Sequence, residues 1–94
     1  MLELTLAAIN RAAPTLLLRM GDVPVVEATG ILAIEEIITD VKRHGAAVLL
    51  VEVRPNVRYK LERGGVIAHV GADNVIDTLE HALQRAKDLR AIVK

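Results

Sequence analysis

The chain has 94 residues, enough for one domain, and 52% of them are hydrophobic, which excludes an intrinsically disordered chain. Twelve acidic and twelve basic residues cancel, and Tyr59 is the only aromatic residue, so no nucleic-acid surface is expected. The absence of cysteine excludes a disulfide framework, thiol catalysis and a cysteine-bound metal.

The first predicted element is a helix that ends at Pro14, because apolar residues recur before it at helical spacing: Leu2, Leu6, Ile9 and Ala13. Residues 15–20 form an apolar run between Pro14 and Gly21 and are predicted to be a buried strand.

From Gly30 to Arg43 the apolar period becomes helical, with a stripe formed by Ile31, Ile34, Ile38 and Val41 and with Ile37 beside it. Gly45 follows as a helix stop. Residues 47–53 are apolar on both faces, which is typical of a strand inside a parallel sheet covered by helices. We therefore expect a βαβ unit over residues 15–53.

Pro55 suits the first turn of a short helix that Gly64 and Gly65 would end. A brief strand is expected near residues 66–67 or 75–76. Asp77, with Glu80 three residues later, resembles a capping box that opens a last helix. The inner face of that helix is predicted to hold Leu79, Ala82, Leu83, Ala86 and Val93.

The corner between the first buried strand and the helix at Gly30 is the main candidate site. A helix N-terminus exposes backbone N–H donors that suit an oxygen or a phosphate, and Thr29 places a hydroxyl there. Thr29 is interpreted first as the N-cap and second as a phosphoacceptor or partner contact. Asp22 and Glu27 are interpreted first as solvated loop carboxylates, and Gly30 as a glycine that allows close approach of the backbone; second, the three form a candidate partner-contact loop.

No constellation in the sequence is typical of an enzyme. The three histidines are dispersed, serine is missing, and the adjacent Glu35 and Glu36 point about 100° apart, as on a solvated helix face. We expect no catalytic residue, metal or cofactor. A local cluster of cations is interpreted first as a solvated face and second as a candidate for binding an anion or an acidic partner surface: Arg54, Arg58, Lys60 and Arg63.

Four blocks occur in an order that resembles the STAS domain: VPVVEATG, LAIEEI, AAVLLVEVRPNVRYKLERGG and VGADNVIDTLEHAL. The resemblance covers about residues 16–87 and is nearest to the cytoplasmic C-terminal domain of SulP-type sulfate and anion transporters. It implies a single α/β domain over residues 1–94, with a small sheet and helices packed against it.

The resemblance adds a nucleotide to the candidate ligands of the cation cluster, and it also implies a function. A transporter domain of this kind is regulatory, lies at the inner face of the cell membrane without inserting into it, and contacts the membrane domain or a regulatory protein. The alternative is a standalone relative of the anti-sigma factor antagonists, in which Thr29 would stand at the phosphoacceptor position. The family usually has Asp where Glu27 stands, which slightly favours the transporter version.

The family opens with a strand before its first helix, whereas this chain is predicted to begin almost at that helix. We therefore expect a domain that is incomplete at its N-terminus and lacks that strand. The uncovered sheet edge would either favour a homodimer or leave the domain less stable than a complete one.

Overall fold

The computed structural model describes the backbone of residues 3–7 and 15–92 and the side chains of residues 15–89. It contains four strands and four helices, with a 3₁₀ turn at Ala72–Asn74. The strands are β1 (Glu3–Ala7), β2 (Thr15–Arg19), β3 (Ala47–Val51) and β4 (Val75–Ile76). The helices are α1 (Ala28–Arg43), α2 (Pro55–Arg63), α3 (Val66–Val70) and α4 (Leu79–Ile92).

The four strands form one sheet in the order β1-β2-β3-β4. Strands β2, β3 and β4 are parallel, and β2 pairs with β3 in a register that sets Thr15 opposite Ala47 and Arg19 opposite Val51. The predicted βαβ unit and the α/β fold class are confirmed.

The predicted first helix is wrong where the structure describes it, because Glu3–Ala7 is a strand that pairs antiparallel with β2. Leu4 and Leu6 alternate with Glu3 and Thr5, which is the period of a strand, and they lie opposite Leu18 and Leu16. The expected lack of a strand before β2 is wrong for the same reason, since β1 covers that edge. The predicted helical positions Leu2, Ile9, Ala13 and Pro14 lie outside the described residues.

Apolar side chains fill both faces of the sheet. Because neighbouring residues of a strand point to opposite faces, Leu18 packs with α1, α2 and α3, while Leu17 packs with α4. Ile34 and Ile38 of the predicted α1 stripe are fully buried, and the other stripe residues pack against the same cluster: Ile31, Ile37 and Val41.

Helix α4 confirms part of its prediction. Ala82 and Ala86 are buried and Leu79 is partly buried, but Leu83 is 41% exposed, so it does not belong to the inner face. Val93 lies outside the described residues.

Two helix boundaries agree with the prediction from the sequence. α1 ends as predicted: Gly45 has a φ of +80°, its N–H donates to the Lys42 carbonyl at 3.0 Å, and the Ala46 N–H donates to the Val41 carbonyl at 3.2 Å. This is a Schellman motif, which uses glycine in the left-handed conformation. α2 begins at Pro55 as predicted.

The predicted capping box of Asp77 and Glu80 is wrong, because the helix N-cap is the next residue, Thr78. The Thr78 hydroxyl accepts the His81 N–H at 3.1 Å and the Thr78 carbonyl accepts the Ala82 N–H at 3.0 Å, so Thr78 caps the helix instead of Asp77. Residues 66–67, one of two predicted positions for a brief strand, lie in α3; the other position is β4.

Candidate functional site

The chain passes from β2 to α1 through residues 20–27. The Met20 N–H donates to the Val51 carbonyl of β3 at 2.8 Å, and the Val23 N–H donates back to the Met20 carbonyl at 3.0 Å. Together with Met20 and Val23, Val26 is buried in the core. The loop is therefore anchored to the sheet at its start and to the core along its length.

Helix α1 begins earlier than predicted, and this moves Thr29 inside it. Glu27 is the N-cap, with extended backbone angles, and its carbonyl accepts the Ile31 N–H at 2.9 Å. Thr29 is the second helical residue and is exposed, so the interpretation of Thr29 as the N-cap is wrong. No side-chain hydrogen bond caps the helix, and its first-turn N–H donors have no partner within the helix.

Two exposed apolar side chains lie near Thr29 on the protein surface. Val25 is 57% exposed and shares a cleft with Thr29, and Leu32, one turn further along α1, is 62% exposed. Gly30 lets the loop pack closely on the helix, since a Cβ added there would lie 3.1 Å from Val26 Cγ2. The corner therefore presents an exposed apolar face formed by three residues, the Val25–Thr29–Leu32 face. The loop and the helix that carry this face pack closely against each other.

Two side chains at the start of α2 hold the corner loop from the other side. The Arg54 Nε–H donates to the Gly21 carbonyl at 2.9 Å, and Asn56 Nδ2 donates to the Pro24 carbonyl at 2.6 Å. These bonds satisfy loop carbonyls that lie outside any helix or strand. They fix the loop segment between Gly21 and Pro24, which carries the exposed Asp22.

The four cations of the predicted basic cluster have different surroundings. Arg54 is engaged with the corner loop, and Arg58 is half-buried. Lys60 and Arg63 border a groove between α2 and the start of α1, together with the exposed Tyr59. The predicted cluster is thus divided: Arg54 supports the loop, Arg58 is half-buried on α2, and Lys60 and Arg63 face the groove.

A polar pocket beside the corner was not predicted. Asp22 lines it with Arg19, Gly21 and Glu52, and Arg19 Nη2 lies 3.5 Å from Glu52 Oε1. Glu52 has a φ of +60°, which is uncommon for a residue with a side chain. The available sequence signal was a charged residue at the carboxyl end of each of two neighbouring parallel strands.

Glu35 is also not on a solvated face, contrary to the prediction. Its Oε2 lies 2.6 Å from His69 Nδ1, and both side chains are 29% exposed. Lys42 Nζ donates to the His69 carbonyl at 3.0 Å, so two bonds join α1 to α3. This contact supports the helix pair beside the core.

The described part of the chain holds neither a cluster of metal-ligating side chains nor a membrane-spanning helix. No group of three or more His, Cys, Asp or Glu residues there is placed to hold a metal ion. None of the described helices has the length and apolar character needed to cross a membrane.

The sequence model of the STAS domain family matches residues 3–82 of this chain. A sulfate transporter family protein from Wolinella succinogenes, known from its crystal structure, shares 36% sequence identity with this chain. The two structures superpose with a TM-score of 0.76. The alignment covers 80% of this chain, and the chain spans 62% of the length of that one. Among curated proteins, none matches the chain. The resemblance noted in the sequence is confirmed, and the chain belongs to the STAS domain family.

Proposed function

We propose that this STAS domain is the cytosolic regulatory and protein-interaction domain of a SulP-type sulfate or related anion transporter. It would lie at the inner face of the cell membrane and contact the transporter's membrane domain or a regulatory protein. The observation that carries the proposal is the exposed apolar face Val25–Thr29–Leu32, and the similarity to a sulfate transporter family protein supports the transporter context.

This face suits a protein contact for two physical reasons. Val25 and Leu32 expose apolar area that a partner would remove from water, which is favourable at about 25 cal/mol per Å². Helix α1 is fixed by its buried Ile34 and Ile38, so little conformational freedom is lost when the face is covered.

The size and location of the native protein test the transporter context. An antibody raised against this domain is expected to detect, in the membrane fraction of source cells, a protein several times larger than 10.2 kDa. A band near 10 kDa in the soluble fraction would contradict the proposal and favour a standalone module.

Replacing Leu32 by aspartate tests the contact face. Covering an unpaired carboxylate with apolar groups costs more than 1.4 kcal/mol, so we expect about a tenfold or greater weakening of the contact between this domain and its partner. The measurement is the cross-linking yield between the domain and the rest of the transporter in membranes, with each variant at equal abundance.

Leu83→Asp is the matched control, because Leu83 is 41% exposed and lies on α4, against the other face of the sheet. Its cross-linking yield should stay near that of the unchanged protein. Equal losses in both variants would show that a carboxylate disturbs the domain in general and would refute the assignment of the contact to α1.

A second candidate function is a phospho-switch, and one observation favours it. Thr29 is exposed in the first turn of α1, and no acidic residue occupies that turn. A phosphate there would meet uncapped N–H donors and the positive end of the helix dipole. The nearby carboxylates of Glu27 and Asp22 would oppose the added charge.

Replacing Thr29 by glutamate tests the electrostatics on which the switch depends. A negative charge in the first turn is expected to stabilise the domain by about 0.3–1 kcal/mol relative to Thr39→Glu, because Thr39 is exposed four residues before the end of α1, away from the dipole's positive end. Urea unfolding of the two variants measures the difference. Equal stabilities would contradict an open helix terminus, and mass spectrometry showing Thr29 unmodified under all growth conditions would exclude the switch.

A further inference from the structure

A groove runs between α2 and the start of α1, on the side of the corner away from Thr29. Val26 and Ile31 contribute apolar surface to it, and Gly64 lies where the two helices meet. A Cβ added at Gly64 would lie 3.1 Å from Ile31 Cγ2, so the glycine permits a close approach of α2 to Ile31. The floor of the groove is therefore apolar and closely packed.

The rim contributed by α2 carries an exposed aromatic ring in contact with an arginine. Tyr59 is 61% exposed, and the Arg63 guanidinium lies over its ring, 5.6 Å from the centroid. Arg63 Nη1 also donates to the Tyr59 hydroxyl at 3.3 Å. Tyrosine and arginine supply much of the binding energy in protein interfaces, and here each restrains the other before any partner arrives.

The charges that line the groove are unequal. Lys60 and Arg63 supply two cations, whereas Glu27 supplies one carboxylate. Glu62, the only acidic residue of α2, does not line the groove. In a protein with no net charge, this is a local positive excess beside an apolar floor, which complements an acidic segment and repels a basic one.

We propose that this groove binds an acidic segment of a partner protein, with apolar residues of the segment on the floor and its carboxylates at Lys60 and Arg63. The inference goes beyond the contact face on α1. It stands whether or not the domain is attached to a transporter, because it rests on the groove's own lining and charge.

Peptide titration of the isotope-labelled chain tests the proposal. The probes are a short peptide of Leu-Asp-Glu repeats, the same peptide with lysine in place of each acidic residue, and free ATP. The acidic peptide is expected to shift the amide resonances of residues 26–31 and 59–64, and the basic peptide should leave them unchanged. The double variant Lys60→Glu with Arg63→Glu is expected to weaken binding about tenfold or more.

The matched control reverses the same number of charges elsewhere, with Arg58→Glu on α2 and Lys87→Glu on α4, outside the groove. This control should bind the acidic peptide as the unchanged protein does. Tyr59→Ala, which keeps both cations, should also weaken binding, since it removes the exposed ring.

Three results would overturn the proposal. They are no binding of the acidic peptide at millimolar concentration, equal weakening in the control variant, or amide shifts confined to residues outside the groove. ATP binding in place of the peptide would also overturn it, because the groove would then recognise a small anion and not a protein segment.

Discussion

Replacing Leu61 by alanine is expected to lower the free energy of unfolding by about 2–5 kcal/mol. Leu61 is fully buried on the inner face of α2 and belongs to the same core cluster as Ile34 of α1. Removing its branched end loses the favourable burial and leaves a cavity that closely packed neighbours fill only in part. A domain of this size commonly has a total stability of about 5–15 kcal/mol, so this loss is a large share of it.

Urea unfolding followed by circular dichroism measures the change, which should appear as a lower midpoint with an unchanged slope. Leu83→Ala is the control, because it removes the same atoms from a side chain that is 41% exposed, and we expect it to change stability by less than about 0.5 kcal/mol. If both variants lost the same stability, the assignment of Leu61 to the core would be wrong.

The sequence predicts an element correctly where the spacing of its apolar residues or its end signals match the way that the element packs in the fold. The stripe that includes Ile34 and Ile38 could form a helix and could cover a sheet, and α1 does both. Gly45 ends that helix because the Schellman motif needs a residue with positive φ, which is a purely local requirement.

The sequence predicts a helix at β1 because two periods overlap in this segment. Leu2 and Leu6 are spaced as on a helix, while Leu4 and Leu6 alternate with polar residues as on a strand. Pairing with β2 decides between the two, since it sets Leu4 opposite Leu18 and satisfies the backbone of both strands. That decision depends on a tertiary contact, which periodicity within one segment cannot reveal.

The sequence predicts where the candidate site lies, but not the cap of its helix or the contacts that hold its loop. The sequence locates the corner because a buried strand and an amphipathic helix meet there, yet Thr29 lies two residues past the N-cap, too far into the helix to cap it. The contacts that hold the corner join distant parts of the sequence: Arg54 is 33 residues from Gly21, and Asn56 is 32 residues from Pro24. Such pairs follow from the parallel pairing of β2 with β3, not from spacing along the chain.

The same two contacts connect the surfaces proposed for binding. α2 carries Tyr59, Lys60 and Arg63 at its groove, and through Arg54 and Asn56 it fixes the loop that leads into α1. A partner that shifts α2 would therefore also change the freedom of the corner loop. The loop bonds are the physical link between the two surfaces, and their removal tests that link.

The double variant Arg54→Met with Asn56→Ala is expected to loosen the corner without unfolding the domain. It leaves the Gly21 and Pro24 carbonyls without their side-chain donors, and each exposed hydrogen bond contributes about 0.5–1.5 kcal/mol, so the combined loss should be about 1–3 kcal/mol. Methionine keeps most of the apolar stem of Arg54, which limits the change to the donor.

Amide hydrogen exchange measured residue by residue locates the effect. Exchange should accelerate in residues 21–27 while the amides of β2 and β3 keep their protection, because the loop opens locally and the sheet does not. Arg58→Met, one turn further along α2, removes a cation of the same helix and should leave the loop amides unchanged. Faster exchange throughout the sheet in the double variant would mean that the bonds stabilise the whole domain, and the proposed link between the groove and the corner would then have no separate physical basis.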